Sequence, residues 1–403
     1  MTKKSCVDLT GPLAPHAAGF KQELIRLGYS KQATKQHVLL MGHLSRWLEG
    51  ERLHVGDLAT DRVEGFFQLR REAGYTTRLT RRSVFPLVEY LRGIDVVTGP
   101  QPPVVTGALE RLLADYRSYL ASERGLVQGT VRFYVHVARL FTSDRLGADG
   151  LDLAGLRAAE VTGFVTRTCE RRSVSSARQV VSALRSLLRF LCLEGLTTLA
   201  LDQAVLSVAG SASSLPRAIG APQASALLAS CDRSTGIGAR DYAILMLLGR
   251  LGLRDGEVVG LELGDVDWRA GEIAVHGKGR RWDRLPLPTD VGEALAAYLQ
   301  GSRPRSDSRK LFLRCYAPLC GMDAGTGVIR GVLARACERA GVPYASPHRL
   351  RHTVATEMLR AGAPLSEIGQ VLRHQSAATT AIYAQVDYQA LRSLARPWPG
   401  GAS

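Results

Sequence analysis

The chain has 403 residues, 45% of them hydrophobic and 22% charged, with 52 Lys and Arg against 37 Asp and Glu for a net charge of +15 and a pI near 9.8. That length exceeds one ordinary core and fits two or three domains, while the composition shows none of the extreme biases of fibrous or disordered chains. The positive balance makes a polyanion such as nucleic acid the natural partner.

The cationic excess is spread along the chain. Residues 1–99 carry 15 Lys and Arg against 10 Asp and Glu, residues 100–205 carry 13 against 10, and residues 206–403 carry 24 against 17. A protein that encircles a duplex needs this distribution, because phosphates must be met on several faces. Seven cysteines, Cys6, Cys169, Cys192, Cys231, Cys315, Cys320 and Cys337, are irregularly spaced and include no Cys-x-x-Cys pair. They read as reduced thiols, not as a disulfide framework or a zinc site. No stretch approaches 18 uninterrupted apolar residues, and no apolar run of signal length follows the first residues. The expectation is a soluble intracellular protein, cytoplasmic and nucleoid-associated.

Two breaks divide the chain. Val97-Thr98-Gly99-Pro100-Gln101-Pro102-Pro103 is a stiff, helix-excluding linker, and 207–222, with Ala209-Gly210-Ser211-Ala212-Ser213-Ser214, is a flexible one. The first two segments resemble each other: Thr34, Leu44, Leu58, Val63, Phe66, Leu87 and Leu91 find counterparts in Thr130, Leu140, Leu156, Val161, Phe164, Leu187 and Leu191. Each copy runs through a helix, a short turn, a helix with Val-x-x-Phe, a basic stretch and a last helix, predicted over Ser83–Arg92 and Ala177–Cys192. The basic stretches, Arg78-Leu79-Thr80-Arg81-Arg82 and Arg171-Arg172, suit DNA-backbone contacts as well as they suit solvated faces.

From residue 222 the pattern becomes mixed α and β. Ala224–Leu228 and Asp241–Leu251 read as helices, the second nearly all apolar and so buried. Glu272–His276 and Arg280–Leu287 read as strands around the turn Gly277-Lys278-Gly279. Ser346-Pro347 opens a helix, with serine as N-cap and proline in the first turn, and Gly362 ends it. His348 and Arg351, three apart near its N-terminus, share a face that favours a phosphate. Leu365, Ile368, Val371 and Leu372 mark a further helix that delivers His374 just past its end. Imidazoles, a guanidinium and the phenol of Tyr383, gathered in one basic stretch, suggest a tyrosine nucleophile attacking a phosphodiester.

On these residues the third segment resembles the catalytic domain of the tyrosine recombinases, the phage-integrase and Xer-like family. Gly252-Leu253-Arg254-Asp255-Gly256-Glu257 is similar to its first-arginine motif, Lys278 to its hairpin lysine, and His348-Arg349-Leu350-Arg351-His352 to its H-x-x-R-H box. His374 and Tyr383 match its last histidine and its nucleophile. The resemblance implies two mainly α-helical DNA-binding segments, an additional one at 1–99 and a core-binding, SAM-like one at 104–205. A mixed α+β catalytic domain with a small antiparallel sheet follows at 215–390, and a C-terminal tail at 391–403.

It also implies a site-specific recombinase acting on double-stranded DNA, as a homotetramer on synapsed sites or with other recombinases, and serving a mobile element. A catalytically silent DNA-binding relative is the alternative. No cofactor or metal is implied, since cationic side chains take the metal's place.

In the implied chemistry Arg254 and Arg351 hold the non-bridging phosphate oxygens with paired, permanently charged donors. His348 and His374 complete the cage, and either can accept the phenol proton. Tyr383, with an ordinary pKa near ~10, needs such a base or nearby cations. Lys278 is suited to protonate the leaving sugar oxygen. Glu257 reads as a cap of the arginine turn and His352 as a supporting histidine. His276 reads as solvent-facing, and Trp282 as packing on the hairpin. The family usually has glycine where this chain has Arg373. Arginine there implies either a different helix end, displacing His374, or an added phosphate contact.

Overall fold

A computed structural model describes residues 9–59, 63–97, 107–147, 150–209, 218–277, 282–323, 325, 327–374 and 376–383. Residues 1–99 and 215–403 form one compact unit, and residues 100–214 form a second.

The first segment contributes helices α1 (Ala17–Arg26), α2 (Lys31–Gly50), α3 (Val63–Glu72) and α4 (Arg81–Gly93). Their apolar faces close on one cluster that includes Leu24, Leu44, Phe66, Phe67 and Leu91. Ser30 caps α2 by accepting the Ala33 amide at 3.2 Å. The segment meets the third segment at the end of α1, where Leu319 N–H donates to the Leu27 carbonyl at 2.9 Å and Arg26 pairs with Asp307 at 3.0 Å.

The second unit holds α5 (Ala108–Ser118), α6 (Gln128–Thr142), a two-strand ribbon of β1 (Leu146–Gly147) and β2 (Gly150–Leu151), α7 (Ala158–Cys169) and α8 (Val174–Leu193). Its core includes Tyr116, Val135, Phe141, Val161 and Leu187. All seven matched positions of the first segment are buried, but in the second Leu140 is 43% exposed. Counting from the N-caps Ser30 and Val127, the buried residues Thr34, Met41 and Leu44 fall level with Val131, Ala138 and Phe141. The repeat therefore runs one residue out of the expected register in this helix. A one-residue slip turns a helix by about 100° and carries a core position to its flank.

The third segment is built on α10 (Gly236–Arg250), whose stretch Ala243–Leu248 is entirely buried, as its apolar run predicts. It packs against α9 (Ala221–Ala229), α12 (Thr289–Ala297), α13 (Val328–Arg339) and α14 (Pro347–Arg360). Strands β3 (Val266–Asp267), β4 (Glu272–His276) and β5 (Trp282–Pro286) form an antiparallel sheet in that order, with Ile273 opposite Leu285 and His276 opposite Trp282. Ile273, Val275 and Leu285 point to the core. The β4–β5 pair matches the predicted strands, while β3 is too short to show a sequence period. The short helix α11 (Asp255–Gly260) packs its Val258 and Val259 into the main core, whereas α14 with the short helices α15 (Leu365–Val371) and α16 (Ala377–Ala381) encloses a small separate core of Val354, Ala355, Ile368, Leu372 and Tyr383. No helix among the described residues is long and apolar enough to cross a membrane.

Candidate active site

The turn between α10 and α11 carries the first arginine. Gly252 enters it with φ at +58°, and a Cβ there would stand 2.8 Å from Leu372, so glycine satisfies both the backbone angle and the close approach. Arg254 is the N-cap of α11. Its amide donates to Glu257 Oε2 at 2.8 Å, which makes Glu257 the cap that the sequence implied. The Arg254 Nη1 donates to Glu257 Oε1 at 2.5 Å, and Nη2 reaches the Arg373 carbonyl at 3.3 Å.

Arg351 comes from α14, whose N-terminus is capped by Ser346, the hydroxyl accepting the Arg349 amide at 3.3 Å. It is buried, with Nη1 donating to the Gly252 carbonyl at 2.5 Å and Nη2 to the Leu372 carbonyl. Both guanidiniums thus converge on the carbonyls that end α15, where the helix leaves acceptors unsatisfied and carries partial negative charge. Burial, reinforced by Arg254 and Arg373, pulls the Arg351 pKa down to about 10, which still leaves it charged at neutral pH.

The end of α15 settles how Arg373 replaces glycine. Arg373 takes the left-handed conformation itself, with φ at 53°. Its amide donates to the Gln370 carbonyl and that of His374 to the Gly369 carbonyl, both at 2.9 Å. This is the paired closure that a glycine would make, so the helix does not end differently and His374 is not displaced. The Arg373 side chain turns inward. Its Nη2 donates to Glu257 Oε2 at 2.7 Å and its Nη1 to the Val371 carbonyl at 3.0 Å, with both members of the ion pair about 5% exposed. Burial alone would raise the Glu257 carboxyl, but Arg373 and Arg254 together hold it below its usual range.

Arg373→Gly is accordingly expected to lower stability despite relieving the backbone. Left-handed strain is worth about 1–2 kcal/mol, whereas breaking a buried ion pair costs about 3–5 kcal/mol. A thermal melt checks the sign, and an unchanged or raised midpoint would contradict it.

Tyr383 follows α16 and is buried. Its hydroxyl lies 2.8 Å from His352 Nδ1, and its ring lies parallel to that of His374 at 6.3 Å between centroids. His374 Nδ1 is 2.8 Å from Thr380 Oγ1. Burial pushes the Tyr383 phenol above its ordinary value, with Arg351 opposing. Burial and the neighbouring cations push His352 below the ordinary imidazole value and His374 down to about 4. At pH 7 both imidazoles are therefore neutral, and His352 is able to accept a proton from the phenol.

The structure thus brings together four of the expected residues, Arg254, Arg351, His374 and Tyr383, and adds His352, Glu257, Arg373 and Thr380. His348 is exposed on the first turn of α14, one turn before His352; of these two histidines, His352 is the one bonded to the phenol. Lys278 lies outside the described residues. Its neighbour Gly277 lines a cleft of about 890 Å³ together with Arg254, Asp283, Arg373, His374 and Thr380. On the hairpin, exposed His276 pairs with Asp265 at 3.2 Å, and the Trp282 ring packs on it at 3.8 Å between centroids. Thr380 had a local signal, since it precedes Tyr383 by three residues in a helical stretch and so shares its face.

Residues 218–390 match the Phage integrase family, and residues 113–195 match the family of Phage integrase N-terminal SAM-like domains. A Sinorhizobium fredii protein named y4rA is 42% identical, over 97% of this chain and 96% of its own length. Tyrosine recombinase XerC of Oceanobacillus iheyensis is 33% identical over 70% of this chain and 96% of its own length. Among solved structures, the XerH site-specific recombinase in a post-cleavage complex with palindromic difH aligns over 73% of this chain and 98% of its own, with a TM-score of 0.56 and 18% identity.

Proposed function

The chain belongs to the tyrosine recombinases of the phage integrase family and is a site-specific DNA recombinase, and on that premise we propose that it cuts and rejoins strands through a 3′-phosphotyrosine on Tyr383, in the service of a mobile genetic element. The observation that carries this reading is the 2.8 Å contact between His352 Nδ1 and the Tyr383 hydroxyl, beside two converging guanidiniums.

The phenol oxygen forms a bond to phosphorus as its proton passes to neutral His352. The phosphorus bond to the 5′ oxygen breaks, and that oxygen takes a proton from Lys278, leaving a free 5′-hydroxyl. A guanidinium has five donors, so Arg254 and Arg351 retain N–H groups for the non-bridging oxygens while their other donors stay anchored. His374 and His348 supply further donors. The free hydroxyl of a partner strand then attacks the phosphotyrosine without external energy. Residues 104–205 serve as the core-binding domain and 215–390 as the catalytic domain. The partner is double-stranded DNA carrying recombination sites, synapsed by a homotetramer in which the tail 391–403 docks on a neighbour.

A nicked suicide duplex tests this, because loss of the short 5′-hydroxyl fragment traps the adduct. Peptide mapping is expected to place the DNA on Tyr383. No adduct from the unmodified protein would favour a catalytically silent DNA-binding relative. The acid limb of the cleavage rate is a further expected outcome. His352 must be neutral to accept the proton, and its pKa lies below the ordinary imidazole value. The acid fall of the rate, about tenfold per pH unit once under way, therefore sets in at a lower pH than an ordinary imidazole would give. A loss already complete at pH 6.5 would remove His352 as the base.

A further inference from the structure

The first helical segment holds a cation cluster that the reaction site does not use. Arg70, in the last turn of α3, is only 8% exposed, and its guanidinium carbon lies 3.9 Å from the centroid of the Tyr75 ring. Its Nε and Nη1 are buried and, among the described residues, have no hydrogen-bond acceptor. Arg78, in the loop between α3 and α4, has φ at 58°. Its Nη2 donates to Gln36 Oε1 of α2 at 2.6 Å, and its Nη1 is likewise buried and unpaired. Among the described residues neither guanidinium has a carboxylate partner.

Two histidines of α2 stand beside this pair. His43 meets Tyr75 edge-on at 5.7 Å, and the Arg78 charge acts on His37. Burial, then Arg78, pulls His37 down to about 4, and burial with nearby cations lowers His43. Both are therefore neutral at pH 7, able to donate or accept one hydrogen bond without adding charge.

A guanidinium that stacks on an aromatic ring is held flat, so its free N–H edge is pre-aimed. Buried N–H groups without acceptors are uncommon in folded proteins, and each calls for a reason such as a ligand that completes it. Three on two adjacent cations, with no acid to neutralise them, call for an anion with several acceptor oxygens. Phosphate fits this fork geometry.

We propose that Arg70 and Arg78 form a phosphate site in the first helical segment that holds one backbone phosphodiester of duplex DNA, tying residues 1–99 to the substrate outside the catalytic region. The choice of DNA rests on the recombinase reading above. It is supported by the basic run that continues through Arg81 and Arg82, and by the excess of five cations in this segment. The recognition is of shape and charge, so the site positions the segment without reading bases.

The test compares full-length wild type, Arg78→Gln, and Arg70→Leu with Arg78→Gln, titrated against a fluorescent random-sequence duplex between 50 and about 200 mM KCl. One lost phosphate contact is expected to weaken binding several-fold at low salt and to reduce the slope of log K on log salt by about 0.9. The melting temperature of the double variant is expected to hold or rise, since it removes unpaired buried donors. Unchanged affinity and slope in the double variant overturn the proposal. If the double variant fails to fold, Arg78→Gln alone decides by the same criterion. Inorganic phosphate that raises the wild-type melting temperature while the DNA slope is unchanged in the variants would assign the site to a free anion and equally overturn the DNA claim. Suicide-substrate capture separates the two readings. Normal capture with an unaltered slope removes only this site, whereas no capture by wild type removes the recombinase reading.

Discussion

Tyr383→Phe is expected to abolish covalent capture of a nicked suicide duplex, by at least about 10⁵-fold, as removal of a catalytic nucleophile does elsewhere. The substitution deletes one oxygen from a buried ring. The ring keeps its place between His352, 5.6 Å away between centroids, and His374, 6.3 Å away, as well as its packing on Val354, Ala355, Ile368 and Leu372. One hydrogen bond, to His352 Nδ1, is lost, at a cost of about 1 kcal/mol, which a folded domain tolerates. DNA affinity should therefore stay within about twofold, because no cation is removed. Adduct formation read on a denaturing gel and binding read by anisotropy give the two halves of the result. Persistent adduct in Tyr383→Phe would move the nucleophile to another phenol, of which Tyr388, outside the described residues, is the nearest in sequence.

Arg351→Lys is expected to cost about 10²–10³-fold in adduct formation while changing DNA affinity little. The charge survives, but the fork does not. Arg351 spends one Nη on the Gly252 carbonyl and the other on the Leu372 carbonyl, joining the first-arginine turn to the end of the helix that delivers His374. An ammonium on a flexible stem cannot hold both carbonyls in the plane of a bidentate phosphate contact. The buried acceptor left over also lowers stability by about 1–3 kcal/mol, read as a lower midpoint in a thermal melt. The single-turnover rate at saturating protein isolates the chemical loss from any unfolded fraction. A rate within about threefold of wild type would show that Arg351 acts as a buried strut and not as a phosphate ligand.

Much of this site was legible before folding. Arg254, Arg351, His374 and Tyr383 announce themselves by residue type, order and spacing, and the capping relation of Glu257 to Arg254 is a local pattern three residues long. His348, expected in the cage, and His352, expected as a supporting histidine, sit one turn apart on the same helix, and both are compatible with the motif. Which one meets the phenol depends on the phase of α14 relative to a side chain 31 residues onward. Arg373 looked like a liability at a left-handed helix end. Its compensation lies in Glu257, 116 residues earlier, and no local reading reaches that far.

The sequence by itself determined the helical and strand periods, the breaks between segments, the cationic balance and the residue types that the chemistry requires. These depend on neighbours within a few positions or on sums over the whole chain. Tertiary structure alone decided that two guanidiniums share the carbonyls ending α15, that His352 holds the Tyr383 hydroxyl, that Arg373 turns inward to Glu257, and that buried Arg70 and half-buried Arg78 have no carboxylate partner among the described residues. Each of those facts is a distance of a few ångströms between groups far apart in the chain or aimed by a particular turn. Such distances exist only once packing has chosen which faces meet.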